Sequence, residues 1–475
     1  MSDSSERGGW AEIFTPRYAT VTLILCLGVA LFAFNAFLAS TALPTAVQQL
    51  GGIALISWAL TLYLVFAIMG GAGAALLKAR LGARNALLSS AAVFLVGTIV
   101  AASASSMVEV LIGRSLQGLG EGIVAAVCFA LIPELFPSRL VPKVFGMQAV
   151  IWAVAAFGGP VGAGLLTELV SWRAAFLVNV PLVLIFAVGV FFVVPGGRSA
   201  ETGNPGFPGI RLLTIGAGIM LVALAGITPP LEAAGLLVGA ALLLVGAVLL
   251  DRRSRIRLMP LGAYWPSSVV GSGLLVALLM PVAQAGAAVY LILLLQQLWG
   301  FGPTLAGGIG AVMAVAWSFS AITVANVQRS TRKVLMRTGP ALVAIGLAGL
   351  LWGLLAEQLP ILIVAQLAIG AGFGISNGYL NLSMMEAASD EERDRTSALL
   401  PTTQSAGNAI GAALAGVAAN AAGYASATTP DAIHQAIVPV FVLGALMAVL
   451  AFFAALRTTA LMVQTRPASS FAAAE

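Results

Sequence analysis

Fourteen stretches long and apolar enough to cross a bilayer follow one another along this chain, and no other feature restricts its fold so severely. The hydrocarbon core of a membrane is about 30 Å thick, so a spanning helix needs about 20 apolar residues. Read between polar breaks, the candidate spans are 19–43, 53–77, 86–106, 108–136, 144–169, 174–195, 211–228, 233–250, 267–299, 303–328, 339–357, 359–387, 396–424 and 435–456. In lipid every backbone N–H and C=O needs an internal partner, and a helix meets that need within each segment. The expected fold class is therefore an all-α polytopic membrane protein. Composition agrees, with 60% of residues hydrophobic and 9% charged, against about a quarter charged in soluble domains.

The net charge of +5 raises the question of nucleic acid, and the placement of the charges answers it. With the N-terminus in the cytosol, 21 of the 23 Lys and Arg residues fall in cytosolic segments. Arg173 falls outside and Arg114 lies within a span, while the outer loops carry Glu109, Glu168, Glu232, Glu357 and Asp431. Basic residues gather on the cytosolic side of membrane proteins, and a miscount by one helix would scramble this alternation. Both termini are thus expected in the cytosol, with the basic excess facing anionic lipid headgroups and no nucleic-acid partner. Cys26 and Cys128 lie in apolar runs and read as buried free thiols. No metal and no cofactor is expected. His434 falls in a predicted loop, and the run SDEERDR (389–395) reads as a solvated cytosolic loop.

The chain also repeats itself. GLGEG (118–122) in the fourth span has a counterpart, GAGFG (370–374), in the twelfth, an offset of 252 residues that also pairs Glu134 with Glu386. The Pro229–Pro230 pair separates the two shortest spans, the seventh and eighth. The organisation expected is a lead at 1–18, six spans over 19–195, a linker carrying two extra spans over 196–262, six spans over 263–456, and a tail at 457–475. Paired helical halves with a pathway between them are a transporter architecture.

Seven motifs, each on its own span or loop, carry a family resemblance. They are NAFLASTALP (35–44), WALTLY (58–63), KARLGAR (78–84), RSLQGLGEG (114–122), GMQAVIWAVAAFGGPVGAG (146–164), WRAAFLVNVP (172–181) and QLWGFGPTLAGG (297–308). Together they resemble the fourteen-helix branch of drug:proton antiporters in the major facilitator superfamily. The resemblance implies two six-helix bundles plus a two-helix insert, no enzymatic activity, and placement in a plasma (bacterial inner) membrane as a monomer. It also implies gate and motif roles for Arg80, Gly82, Arg84, Gln117, Gly118, Glu134, Arg139, Gly159, Pro160 and Gly164. Three departures stand out: Asn35 where the branch has an aspartate, Ala79 where the superfamily has an acid, and Ala155 and Ala163 where glycines are usual.

The fourth span carries the chemistry. Arg114 and Glu121 are seven residues apart, about 700° around the helix, so they share a face about 10 Å apart along the axis. Gly118 lies between them and is expected to leave a gap in the wall. Glu121 is near the middle of its span, where a charge costs about 2.5–3.5 kcal/mol on insertion scales. Burial favours the neutral acid and Arg114 or water favours the carboxylate, so a cavity that alternates between wet and dry would alternate the acid's proton affinity. Glu121 with Arg114 is the expected proton-coupling pair; a fixed interior pair is the plainer alternative.

Span position and polarity nominate Asn35, Tyr63, Gln148, Trp152, Gln284, Tyr290, Gln296, Trp317, Asn377, Tyr379, Asn381, Gln404 and Asn408 as substrate contacts, because polar groups in lipid need interior partners. Helix–helix hydrogen bonding is the competing role for each. The glycines of the fifth span, with Pro160, are expected to let a neighbouring helix close in as a seal. The expected function is proton-driven export of amphipathic small molecules by alternating access; the alternative is proton-coupled transport of one metabolite or lipid on the same fold. No nucleotide-binding loop is present to suggest a primary pump.

Overall fold

The computed structural model describes residues 10–137, 140–197, 209–254, 257–324 and 327–464. Their α-helices are α1 (Ala19–Leu50), α2 (Ile56–Leu81), α3 (Ala83–Ser103), α4 (Met107–Leu135), α5 (Val141–Leu169), α6 (Trp172–Leu177), α7 (Asn179–Val193), α8 (Gly209–Ala225), α9 (Pro230–Arg253), α10 (Val269–Trp299), α11 (Pro303–Thr323), α12 (Arg329–Leu355), α13 (Leu359–Ala387), α14 (Asp390–Ala421) and α15 (Pro430–Gln464). Helices α6 and α7 together form the sixth span. They are split because Pro181 has no N–H to offer the Leu177 carbonyl four residues back.

Among the described residues, twelve helical spans are long and apolar enough to cross a membrane unaided. The two others of the fourteen expected fall short for different reasons. Helix α8 has only 17 residues. Helix α14 carries a charged opening turn together with Gln404, Asn408 and Asn420, which it tolerates because it packs on α10, α2, α15 and α8. The acidic run at 390–395 opens α14 as helix rather than loop, as favoured by acidic side chains at a helix N-terminus. His434 likewise lies inside α15 rather than in a loop. Both cysteines are buried and free.

The 252-residue repeat is a repeat of packing. Helix α4 lies between α2 and α3, and α13 lies between α11 and α12. A Cβ on Gly118 would collide with the Tyr63 carbonyl oxygen, and one on Gly370 with that of Met313. Gly122 meets the Ala67 carbonyl as Gly374 meets that of Trp317. Gly120 and Gly372 face α3 and α12 in the same way, their added Cβ atoms falling 2.6 Å from Ser90 O and 2.5 Å from Gly339 O. The wall gap expected at Gly118 is therefore filled by the backbone of α2. Even a polar contact is duplicated. Arg114 Nε donates to Ala59 O and Gln366 Nε2 donates to Ile309 O, each at 3.5 Å.

Two seams join the bundles, α2 against α14 and α5 against α11. Helix α8 lies across the first: Ile219 packs with Tyr63, Leu64, Val65 and Ala409, and Val222 and Ala223 with Ala413. Helix α9 packs on α8 and leaves most of its surface outward. The insert is tied down by Asp251, whose buried carboxylate accepts from Arg211, from the Leu258 and Met259 N–H groups at 2.8 and 3.0 Å, and from the Tyr264 hydroxyl. Asp251→Ala removes the acceptor of a buried pair and is expected to cost about 3 kcal/mol of stability. Thermal inactivation in detergent checks this; an unchanged melting curve would mean that the insert is held by apolar packing alone.

Hydrogen bonds described between the bundles gather at the face opposite the start of α1 and the end of α15. Thr45 Oγ1 and Gln48 Nε2 both donate to Gln296 Oε1 at 3.4 Å. Asn420 Nδ2 donates to Ala54 O at 3.0 Å. Glu168 at the end of α5 accepts from the hydroxyl and the backbone N–H of Thr304, in the first turn of α11. A carboxylate of one bundle thus caps a helix N-terminus of the other, where N–H groups lack intrahelical partners. Midway down the seam, Thr61 Oγ1 donates to Ala409 O at 3.5 Å.

Candidate functional site

Glu121 is 2% exposed. Its Oε2 accepts from Asn35 Nδ2 at 3.0 Å, and its Oε1 has no partner. The Tyr63 hydroxyl faces the same carboxylate without completing a hydrogen bond. Asn35 also accepts on Oδ1 from Asn179 Nδ2 at 3.3 Å. Three helices, α1, α2 and α4, and the start of α7 therefore converge on one acid.

Arg114 shares this face, as its spacing requires, yet forms no ion pair with Glu121. The guanidinium lies 4.0 Å from the centroid of the Tyr63 ring, a cation–π arrangement that gains from desolvation. Its Nη1 donates to Gln117 Oε1 at 2.8 Å, and Gln117 Nε2 donates to Thr98 Oγ1 on α3 at 3.0 Å. Arg114 is thus fixed on three sides, with Tyr63 interposed between it and the acid. It also lines a cavity of about 30 Å³ between the bundles, beside Ser40, Pro44, Leu60 and Val289.

An aromatic group adjoins the acid. Phe32 stacks on Tyr63 with centroids 6.1 Å apart, and Trp152 meets Phe32 and Phe37 edge-on at 5.6 and 6.5 Å. Neither Phe32 nor Phe37 is singled out by sequence, since both read there as ordinary apolar residues. Gln148, one turn from Trp152 on α5, is buried with neither amide atom partnered.

The other bundle carries different chemistry on the same scaffold. The position equivalent to Glu121 is Phe373, which stacks on Trp317 with centroids 4.8 Å apart. Gln284 Nε2 contacts Met313 Sδ at 3.3 Å, and Gln404 Nε2 donates to Asn377 Oδ1 at 3.1 Å. Asn381 keeps a buried, unpartnered Oδ1, and Asn408 is half-buried on α14. Three nominated residues make contacts away from Glu121. The Tyr379 hydroxyl donates to Val324 O and its ring lies under Arg332, so it braces the α11–α12 connection. Tyr290 packs edge-on against Tyr424 at 5.3 Å. Gln296 belongs to the closure between the bundles.

Among the motif residues, Glu134 pairs with Lys78 across α4 and α2; Arg139 lies outside the described residues. Arg84 Nε donates to Val194 O at 2.7 Å, pinning α3 to the end of α7. Gly82 takes φ 79° between α2 and α3, a conformation that suits glycine. Arg80 sits in the last turn of α2. In α5 only part of the expected glycine seal makes close contact. An added Cβ would lie 2.6 Å from Phe37 Cβ at Gly159 and 2.5 Å from Thr304 Cα at Gly164, and Pro160 O crowds Gly307. Gly162 has nothing within 4 Å.

Residues 25–412 match the sequence profile of the Major Facilitator Superfamily. The chain belongs to that superfamily. A protein of Mycobacterium tuberculosis named "Probable multidrug-efflux transporter" is 33% identical over 438 residues, covering 88% of this chain and 91% of its own. The "Multidrug transporter protein MdtP" of Bacillus subtilis is 24% identical over 84% of this chain and 75% of its own. A peptide transporter of the POT type solved with sulfate superposes with a TM-score of 0.67 at 15% identity, covering 93% of this chain and 95% of that one. A bacterial homologue of the lysosomal transporter Spinster gives 0.66 at 14% identity, covering 96% and 100%. These superpositions show the major facilitator fold: two six-helix bundles, here with α8 and α9 inserted between them. The relatives are transporters rather than enzymes. Within this fold the described residues offer a buried acid in mid-span, Glu121, an aromatic wall beside it, and amide and aromatic side chains on the facing bundle.

Proposed function

We propose that this major facilitator protein exports amphipathic small molecules, of the kind handled by multidrug-efflux transporters, in exchange for protons. Glu121 is the proton carrier. The observation that carries the reading is its carboxyl group: buried at the middle of α4, held through one oxygen by Asn35, with the other oxygen free to take a proton. Substrate enters while Glu121 is ionised, and the Tyr63, Phe32 and Trp152 rings meet its apolar part. Protonation from outside removes the charge and weakens the hold. Arg114 sets the local field through Tyr63 and holds α2 to α4. Glutamine and asparagine side chains of the facing bundle, Gln284, Asn377, Gln404 and Asn408, complete the path. With both termini in the cytosol of a bacterial cell, as a monomer in the inner membrane, the bundles here are sealed on the outer side by Glu168, Gln296 and Asn420.

The test uses purified protein in liposomes with a cationic aromatic dye as probe. Acidifying the compartment that receives the dye is expected to drive its accumulation there, and a protonophore is expected to abolish it. Dye movement that ignores the protonophore sinks proton coupling.

A further inference from the structure

The proton-carrier reading assigns no task to Asn179, yet its side chain is buried and reaches the site. We propose that Asn179 is a positioning residue: it fixes the amide of Asn35 so that an N–H group, and not a carbonyl, faces Glu121. This deepens the proposed function and rests on Glu121 being the acid that matters.

The argument is a sequence of forced orientations beginning at the backbone. The break between α6 and α7 leaves the Phe176 carbonyl beside the side chain of Asn179, whose Nδ2 donates to it at 3.2 Å. A carbonyl oxygen can only accept, so the nitrogen end of Asn179 is fixed toward it. The second hydrogen of that nitrogen goes to Asn35 Oδ1 at 3.3 Å. With its oxygen engaged there, Asn35 presents Nδ2 to Glu121 Oε2 at 3.0 Å. Freed from Asn179, the Asn35 amide loses the contact that holds its oxygen away from the acid, and a half-turn that sets its carbonyl against the protonated carboxyl group becomes open to it. An N–H donor favours the ionised carboxylate; a facing carbonyl favours the protonated acid, which alone can donate to it. Among the described residues the ionisable groups facing Glu121 are Tyr63 from α2 and Arg114 on α4 itself, while α1 contributes Asn35 and the facing surfaces of α3 and α5 contribute none.

Infrared spectroscopy of the full-length protein reads the protonated carboxyl directly, through the C=O stretch that Glu121→Gln removes. In Asn179→Leu that band is expected to persist to a pH about 0.5–1 unit higher than in the unmodified protein, because the hydrogen bond favouring the charged form is lost. Asn179→Ala, which removes the donor without adding a charge, is expected to move it the same way and provides a second variant if leucine disturbs folding. In an Asn35→Ala background neither substitution is expected to move the band further, since coupling through a shared partner vanishes with it. An unmoved band, or an equal shift without Asn35, overturns the proposal; lower folded yield with an unmoved band marks a structural role only. If the band moves as expected but Glu121→Gln still exports dye under protonophore control, the proton-carrier reading fails and the positioning role stands.

Discussion

Glu121→Gln is expected to leave a folded transporter that no longer responds to a proton gradient. Glutamine has the same shape, and its Oε1 can keep the hydrogen bond from Asn35 Nδ2 that Glu121 Oε2 now accepts. It cannot ionise, so it holds the site permanently in the form that stands for the protonated acid. In the proposed cycle, proton and substrate compete through one coupling free energy, and such couplings amount to about 1–3 kcal/mol, or about 5–150-fold in affinity. Substrate affinity in the unmodified protein is therefore expected to fall as pH falls through the titration of Glu121, whereas in the variant it stays weak and flat with pH. Binding of the dye to detergent-solubilised protein at several pH values measures this, with size-exclusion chromatography confirming the folded state. Glu121→Asp sharpens the test. It retains the charge but draws the carboxylate back by one methylene from an amide at 3.0 Å, so pH dependence should persist with a displaced midpoint. A Glu121→Gln protein whose affinity still followed pH would move the proton site elsewhere in the molecule.

Sequence and structure agree where a single helix decides the matter. Span lengths follow from bilayer thickness, the shared face of Arg114 and Glu121 from 3.6 residues per turn, and the paired glycines from an offset that any alignment of the chain with itself reveals. Disagreement begins where a contact joins two helices, because no local pattern encodes its partner. Glu134 reads in the sequence only as an acid at the end of its span; its pairing with Lys78, 56 residues away, appears only in the fold. Asn179 is conspicuous in the motif WRAAFLVNVP, but only the break between α6 and α7 turns it toward Asn35. Tyr379 and Tyr290 are polar residues deep in spans, as a pocket would require; the Tyr379 hydroxyl goes to Val324 O, while the Tyr290 ring packs on Tyr424 and leaves its hydroxyl unpartnered. The acidic run that opens α14 shows the limit of composition: the charge that suggests a loop is also the charge a helix N-terminus favours. Gln366 could have been found, since adding the repeat offset to Arg114 lands on it.

Gly118→Val and Gly370→Val are each expected to eliminate folded protein from the membrane. With no hydrophobic force between helices in lipid, association depends on close packing through small residues. At both positions the first atom of any side chain would overlap a backbone carbonyl, of Tyr63 in one case and of Met313 in the other. A backbone oxygen inside a helix cannot rotate away as a side chain can, so α2 must separate from α4, or α11 from α13. Overpacking of a yielding core costs about 1–3 kcal/mol; an obstacle that cannot yield belongs above that range, where marginal stability is exhausted. Gly162, which has nothing within 4 Å, supplies the contrast: Gly162→Val lies in the same kind of helix and is expected to accumulate normally. Membrane-fraction abundance and the chromatographic profile in mild detergent compare the three. The equivalence of Gly118 and Gly370 is the sharper part of the prediction. One lies in the bundle that holds the acid and the other in the bundle that holds Phe373, so equal losses would mean that the repeated glycines serve the scaffold. A loss at Gly118 alone would mean instead that its close approach serves the Glu121 site, by bringing Tyr63 to the carboxylate.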